Sequence, residues 1–169
     1  MTVKYLLRNT CLFALALSAI GLSSRAVFAQ DNPEVAQLVA LLAQHDDALG
    51  QKNLDALMNL YADGNNTVMM GTGPGEKWQG KAEIRDAYSH IIQDYDTGSQ
   101  KHDCYWKTGG VNGNTAWLSS MCKMSDTAKK KPREYELNIS AVFEKVNDKW
   151  LIRQMHYSNV VSGKKPSKS

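Results

Sequence analysis

The sequence predicts an α+β domain in which a curved antiparallel sheet wraps around N-terminal helices. Between Asn32 and Tyr95 the apolar residues recur at helical spacing, with one short strand pattern interrupting them. After Gln100 the period drops to two and stays there to Val160. Turn signals at Asn112-Gly113 and Asn147-Asp148 divide that second region into paired strands. Helices and strands that segregate along the chain in this way mark α+β architecture.

Residues 1–29 read as a secretion signal. Lys4 and Arg8 form a basic start, Cys11–Leu22 an apolar core, and Val27-Phe28-Ala29 a small-residue cleavage site before Gln30. The apolar run is shorter than the roughly 20 residues that span a bilayer. The expected location is therefore periplasmic or secreted, with no membrane contact after cleavage. The chain carries 20 Lys+Arg against 17 Asp+Glu. Lys4, Arg8 and Arg25 leave with the signal and no acid does, so the remainder balances at 17 against 17. Nucleic-acid binding loses its electrostatic support. Residues 30–161 read as a single domain, and residues 162–169 as a disordered basic tail. Lys129-Lys130-Lys131 reads as a solvated loop.

Asn32-Pro33-Glu34 begins the first helix with a capping side chain, a proline in the first turn and an acid. Val35, Leu38, Val39, Leu42, His45 and Leu49 then follow at helical spacing to Gly50. His45 falls on that buried stripe as a core residue. Asn53 caps a shorter helix carrying Leu54, Leu57, Met58 and Tyr61. Thr67–Gly71 is a short strand, and Gly71–Gly80 a glycine-rich loop around Trp78. That loop lacks the Gly-Lys-Ser/Thr ending of a phosphate cradle, which argues against nucleotide binding. Lys81–Tyr95 is a third helix with a stripe through Ile84, Ala87, Tyr88, Ile91, Ile92 and Tyr95, and His90 off the stripe.

Two hairpins follow, over Gln100–Met124 and Arg133–Val160. In the first, His102, Cys104 and Trp106 share a face with Ala116, Leu118, Ser120, Cys122 and Met124, and Asp103 lies on the other. A two-residue turn with one bulge at Gly113 sets Cys104 opposite Cys122. The pair is then either a cross-strand disulfide, as exported proteins allow, or two buried thiols. In the second, pairing around Asn147-Asp148 sets Ile139 near His156, Leu137 near Ser158 and Ala141 near Gln154. The period-2 count places Trp150, Ile152, Gln154, His156 and Ser158 on one face, apolar at its base and polar at its end, as a ligand cavity would require. The opposite face, with Val142, Met155 and Tyr157, is apolar enough to predict a homodimer interface.

The order and content of these motifs resemble the NTF2-like superfamily, near its SnoaL-like and DUF4440 branch and the association domain of calcium/calmodulin-dependent kinase II. The residues that carry the resemblance are Leu60-Tyr61-Ala62-Asp63, Trp78-Gln79-Gly80-Lys81-Ala82-Glu83-Ile84, Gly113-Asn114-Thr115-Ala116-Trp117, and Lys149-Trp150-Leu151-Ile152 through His156-Tyr157-Ser158. The resemblance implies a cone-shaped pocket and a homodimer or higher oligomer. It names no activity, since this fold hosts isomerases, dehydratases, cyclases and noncatalytic scaffolds.

The expected ligand site comprises Tyr61, Trp78, Gln154, His156 and Ser158, taking a small apolar or amphipathic molecule. Relatives that act as isomerases carry an acid inside the cone, and none falls on the inward strand faces. The first reading is therefore a noncatalytic binding or assembly module. The second is an isomerase, dehydratase or hydrolase with His156 as general base, since an imidazole titrates near neutrality. Ser158 lies two residues from His156 without a nucleophile elbow, which argues against a hydrolytic triad. No short metal-ligand spacing exists, so neither a metal nor a cofactor is expected.

Overall fold

The computed structural model describes residues 32–160; the segments read as a signal (1–29) and a tail (162–169) lie outside the described residues. The first helix, α1 (Pro33–Gly50), starts as its sequence dictates. Asn32 Oδ1 accepts from Glu34 N–H at 2.8 Å, and proline fills the first turn, where no N–H is needed. Asn53 likewise caps α2 (Leu54–Met58) through Ala56 N–H at 3.0 Å. Strands β1 (Val68–Met70) and β2 (Lys77–Gln79) follow, then α3 (Gly80–Ile91). Four long strands complete the chain: β3 (Lys101–Asn112), β4 (Thr115–Ala128), β5 (Lys131–Val146) and β6 (Lys149–Asn159).

The six strands form one unclosed sheet in the order β2-β1-β6-β5-β4-β3. All neighbours are antiparallel except β1 and β6. The three helices supply the other layer, and a core containing Leu38, Leu57, Ile84, Phe143, Ile152 and Met155 closes between them. Each of these side chains is essentially inaccessible to water, a condition worth about 1.5–3 kcal/mol apiece. Among the described residues no helix is long and apolar enough to cross a membrane.

Several local expectations are corrected. The glycine-rich loop contains β2, because Met69 pairs with Trp78 and Gly71 N–H bonds the Glu76 carbonyl at 3.0 Å. The third helix stops at Ile91, and the residues to Asp96 turn away. Asp96 N–H donates to the Thr127 carbonyl at 2.7 Å, and its carboxylate accepts from Thr127 and from Lys130 N–H. The lysine run is a tight turn. Lys129 and Lys130 both have positive φ, and β4 passes directly into β5. The two hairpins are thus parts of one four-strand meander.

Register brings the larger correction. Asn147 and Asp148 form the expected turn, both at positive φ as a two-residue hairpin requires, and Phe143 pairs with Ile152 as expected. Arg153 is then bulged out, and the next pair is Val142 with Gln154. Its guanidinium reaches the Glu144 carboxylate, the Asp63 carbonyl (2.7 Å), Asn66 Oδ1 (2.8 Å) and Thr67 Oγ1 (2.8 Å). Pairing beyond it slips by one residue, and a slip of one exchanges the faces. Met155 and Tyr157 now pair with Ala141 and Ile139 on the inner face. Gln154, His156 and Ser158 pair with Val142, Ser140 and Asn138 on the outer face.

A second bulge, at Tyr105, acts the same way in β3. The turn there is Gly113-Asn114, with Asn112 opposite Thr115, and the extra residue sits at Tyr105 and not at Gly113. Cys104 therefore still meets Cys122, and the two form a disulfide. Trp106 is carried to the outer face and is exposed, contrary to the straight-strand expectation.

Because Arg153 links four acceptors from two segments, Arg153→Ala should lower unfolding stability by about 2 kcal/mol. Urea unfolding with an unchanged slope checks this. A loss under about 0.5 kcal/mol would mean that the guanidinium does not hold the bulge.

Candidate functional site

The concave face of the sheet and α3 enclose a cavity of about 440 Å³. Its apolar wall includes Leu49, Met69, Trp78, Ile91, Met124 and Leu137. Trp78 is half-buried here, so the structure keeps it at the cavity as the sequence suggested. His90 is exposed and also borders the cavity. Polar side chains in the wall include Tyr88, Tyr157, Gln100 and His102. Gln100 Oε1 and both ring nitrogens of His102 are buried without an aligned hydrogen bond in the protein. Such groups carry a desolvation cost that a ligand polar group can relieve. The rim carries Glu76, Asp86 and Asp94.

Behind the wall runs a connected polar chain. His45 Nε2 lies 3.0 Å from the Tyr88 hydroxyl and 3.3 Å from that of Tyr61. The Tyr61 and Tyr88 hydroxyls are 2.7 Å apart, and Tyr88 is 3.2 Å from the Tyr157 hydroxyl. His45 is fully buried and partnered, the core role its place on the helical stripe predicts. Tyr61 belongs to this chain inside the core and does not reach the 440 Å³ cavity. Burial, first of all, pushes the Tyr61, Tyr88 and Tyr157 hydroxyls above their ordinary value of 10.0. They remain neutral at physiological pH and so keep a proton to donate.

Asp46, one residue on from His45, joins two imidazoles. Its Oδ1 is 3.4 Å from His45 Nδ1 and its Oδ2 is 2.7 Å from His102 Nδ1. The second contact has an ion-pair distance without the alignment of a straight hydrogen bond. Burial raises the Asp46 carboxyl, but the two imidazoles together outweigh it and bring the group from 3.8 down to about 2. The carboxylate lies against His102 Nδ1, and Nε2 is buried without a protein partner.

The expectation of no acid on the inward strand faces is corrected: Asp126, two residues beyond Met124 on β4, is buried and accepts from Arg133 and Tyr135, and α1 brings Asp46 beside His102. Neither Asp46 nor His102 shows a helix or strand signature of function. The adjacent pair His45-Asp46 on a helix facing a strand histidine was the signal that could have found them. His156, Gln154 and Ser158, the residues expected at the cavity mouth, stand on the outer face and are not in its wall. Of the three residues assigned to the dimer face, Val142 stays outside, whereas Met155 is buried in the protomer and Tyr157 turns to the cavity. Among the described residues no three His, Cys, Asp or Glu side chains gather as a metal-binding group.

A sheet curved around helices, with a mainly apolar hollow between them, defines an NTF2-like cone. The model of the SnoaL-like domain family matches residues 38–162, and the chain belongs to that family. A comparison with curated proteins returns no match. Solved structures agree on the fold. A putative calcium/calmodulin dependent protein kinase II association domain from Xanthomonas campestris is similar at 20% identity and TM-score 0.67, over 78% of this chain and 91% of that one. A putative dehydratase from the NTF2-like family of Streptomyces avermitilis aligns at 17% identity and TM-score 0.66, over 76% and 97%. An NTF2-like superfamily protein from Salmonella enterica serovar Typhimurium aligns at 14% identity and TM-score 0.68, over 79% and 96%.

The depressed Asp46 carboxyl makes a pH prediction. Its charged form stabilises the fold above its ordinary value of 3.8, and that contribution is lost as pH falls from about 4 through about 2. Asp46→Asn should therefore flatten the pH dependence of stability in that window, read by urea unfolding at stepped pH. Parallel curves for the two proteins would show that the imidazoles do not hold the carboxylate.

Proposed function

We propose that this domain binds a small, mainly apolar molecule bearing one carbonyl or hydroxyl group inside the cone. The observation that carries this is the cavity of about 440 Å³ with a mostly apolar wall and a few buried polar atoms, Gln100 Oε1 and His102 Nε2 among them, that lack protein partners. Its size falls within the range of about 300–1,000 Å³ typical of ligand pockets. The ligand's polar group meets His102 and the Tyr157 hydroxyl, and its body lies against Trp78, Met124 and Leu137.

The Asp46–His102 contact favours a second reading of the same site, an isomerase or dehydratase. In place of His156, His102 would be the base. Neutral His102 takes a proton from the carbon next to a carbonyl, while the Tyr157 hydroxyl donates to the oxygen that gains charge. The proton then returns at another carbon, or leaves with a hydroxyl as water. A thermal-shift panel of small aryl ketones and alcohols tests both readings. A binder present at one hundred times its Kd should stabilise the fold by about 2.7 kcal/mol. No stabilisation by any member sinks the binding reading. For a converted member, His102→Gln should cut turnover about 10²–10⁴-fold with binding retained. Binding without turnover in the wild type leaves the site a binding pocket.

The domain is further proposed to be exported, as the reading of residues 1–29 suggests. The Cys104–Cys122 disulfide supports this, since such bonds persist in oxidising compartments. A homodimer would use the outer sheet face, revised by the bulges. Trp117, Met121 and Val142 sit there among Ser119, Ser140, Asn138 and His156, and the centre of that face carries no acid, lysine or arginine. Uncharged centres with aromatic residues and methionine suit protein interfaces. Trp117→Glu with Val142→Glu should halve the mass seen by light scattering; an unchanged dimer mass would remove this face from the assembly.

A further inference from the structure

Beside the large cavity lies a smaller one, of about 180 Å³, between α1 and the sheet. Val39 and Leu42 of α1 face Cys104, Leu118, Ile139 and Met155 across it. Asp46 and Lys107 also border it, and Ser120 adds a hydroxyl. The two hollows share two side chains, His102 and Tyr157. These are the residues that present polar atoms to the proposed ligand.

We infer that the cone is a two-chamber site: His102 and Tyr157 form a polar waist, and the smaller chamber is a subsite for an alkyl tail or a benzene-sized group attached beside the ligand's polar atom. A volume of 180 Å³ is below the range for a whole drug-sized ligand, yet above the apolar cavity of about 150 Å³ known to admit benzene or xenon. Away from Asp46 and Lys107 at its border, the wall of Val39, Leu42, Leu118, Ile139 and Met155 suits an apolar group, and burying a charge against it would be costly. The chamber cannot be a mere packing fault of small residues, because its wall is made of large aliphatic side chains drawn from α1, β4, β5 and β6. The disulfide fixes the β3 part of that wall, where Cys104 borders the chamber two residues from His102.

This inference extends the proposed pocket and rests on that reading only for the position of the ligand's polar group. Two measurements test it separately. Crystals of the protein held under xenon should show the gas enclosed by Leu118, Ile139 and Met155. Alkyl phenyl ketones of increasing chain length should then bind about fourfold tighter per added methylene over the first few carbons, and level off once the chamber is full. Ile139→Phe, which fills the chamber from β5, should leave acetophenone affinity unchanged and abolish the gain with chain length. Ala43→Phe, placed at the exposed edge of α1, does the same without altering the core and guards against a folding defect in the first variant. Xenon confined to the large cavity overturns the inference, as does a chain-length gain that persists in both variants. Xenon in the small chamber with no ketone bound anywhere would sink the ligand reading and leave the second chamber standing.

Discussion

Arg153 interrupts β6 midway and is held there by partners from two other segments. Its guanidinium is shared by the Glu144 carboxylate, the Asp63 carbonyl, Asn66 and Thr67. These contacts fasten the α2–β1 connection to the sheet and make the bulge worth its broken pairing. The rest follows from a one-residue slip. Met155 enters the core, Tyr157 reaches Tyr88, and His156 leaves for the outer face. The parallel pairing of β1 also falls on the shifted part of β6, where Met69 lies beside Met155. One charged side chain thus decides which residues the cone can offer a ligand.

What was legible in the sequence was local. Asn32-Pro33 and Asn53 announce their helices because capping is decided within three residues. The stripe through Ile84, Ala87 and Tyr88 is a periodicity, and Asn147-Asp148 is a turn by its own side chains. What was hidden depends on distant partners. Nothing near Tyr105 or Arg153 marks a bulge, and counting by twos fails beyond each one. Lys129-Lys130 was legible as a solvated loop but not as a tight turn, because lysine seldom adopts positive φ; Asp96, far away in sequence, accepts from that turn. The disulfide pairing was reached through a bulge set at Gly113, whereas the register is restored at Tyr105. Two different slips of one residue bring the same cysteines together, so the correct pair was not proof of the correct turn.

The site was less legible than the fold for the same reason. Asp46 lies off the apolar stripe of α1, where solvated acids ordinarily stand. Only the approach of β3 gives it His102, at 2.7 Å. His45, its neighbour on the stripe, carries the other end of the arrangement into the core. A residue pair on one helix turn therefore joins two environments that no one-dimensional pattern connects.

Those environments differ in charge. The imidazoles favour an ionised Asp46, whereas burial keeps the three tyrosine hydroxyls protonated. His102 shares the cavity wall with the neutral hydroxyls of Tyr88 and Tyr157 while its other side faces the carboxylate. A group that accepts a proton is most useful where an anion can stabilise its charged form, and a group that donates is most useful where burial prevents its ionisation. On the proposed reading, the cone meets both conditions where His102 and Tyr157 stand, without placing a carboxylate in the large chamber's inner wall. Its acids there, Glu76, Asp86 and Asp94, are exposed, which leaves hydroxyls, an amide and an imidazole as the polar groups deeper in the wall. On the proposed reading, that separation makes one hollow both apolar enough to bind a ligand and polar enough to act on it.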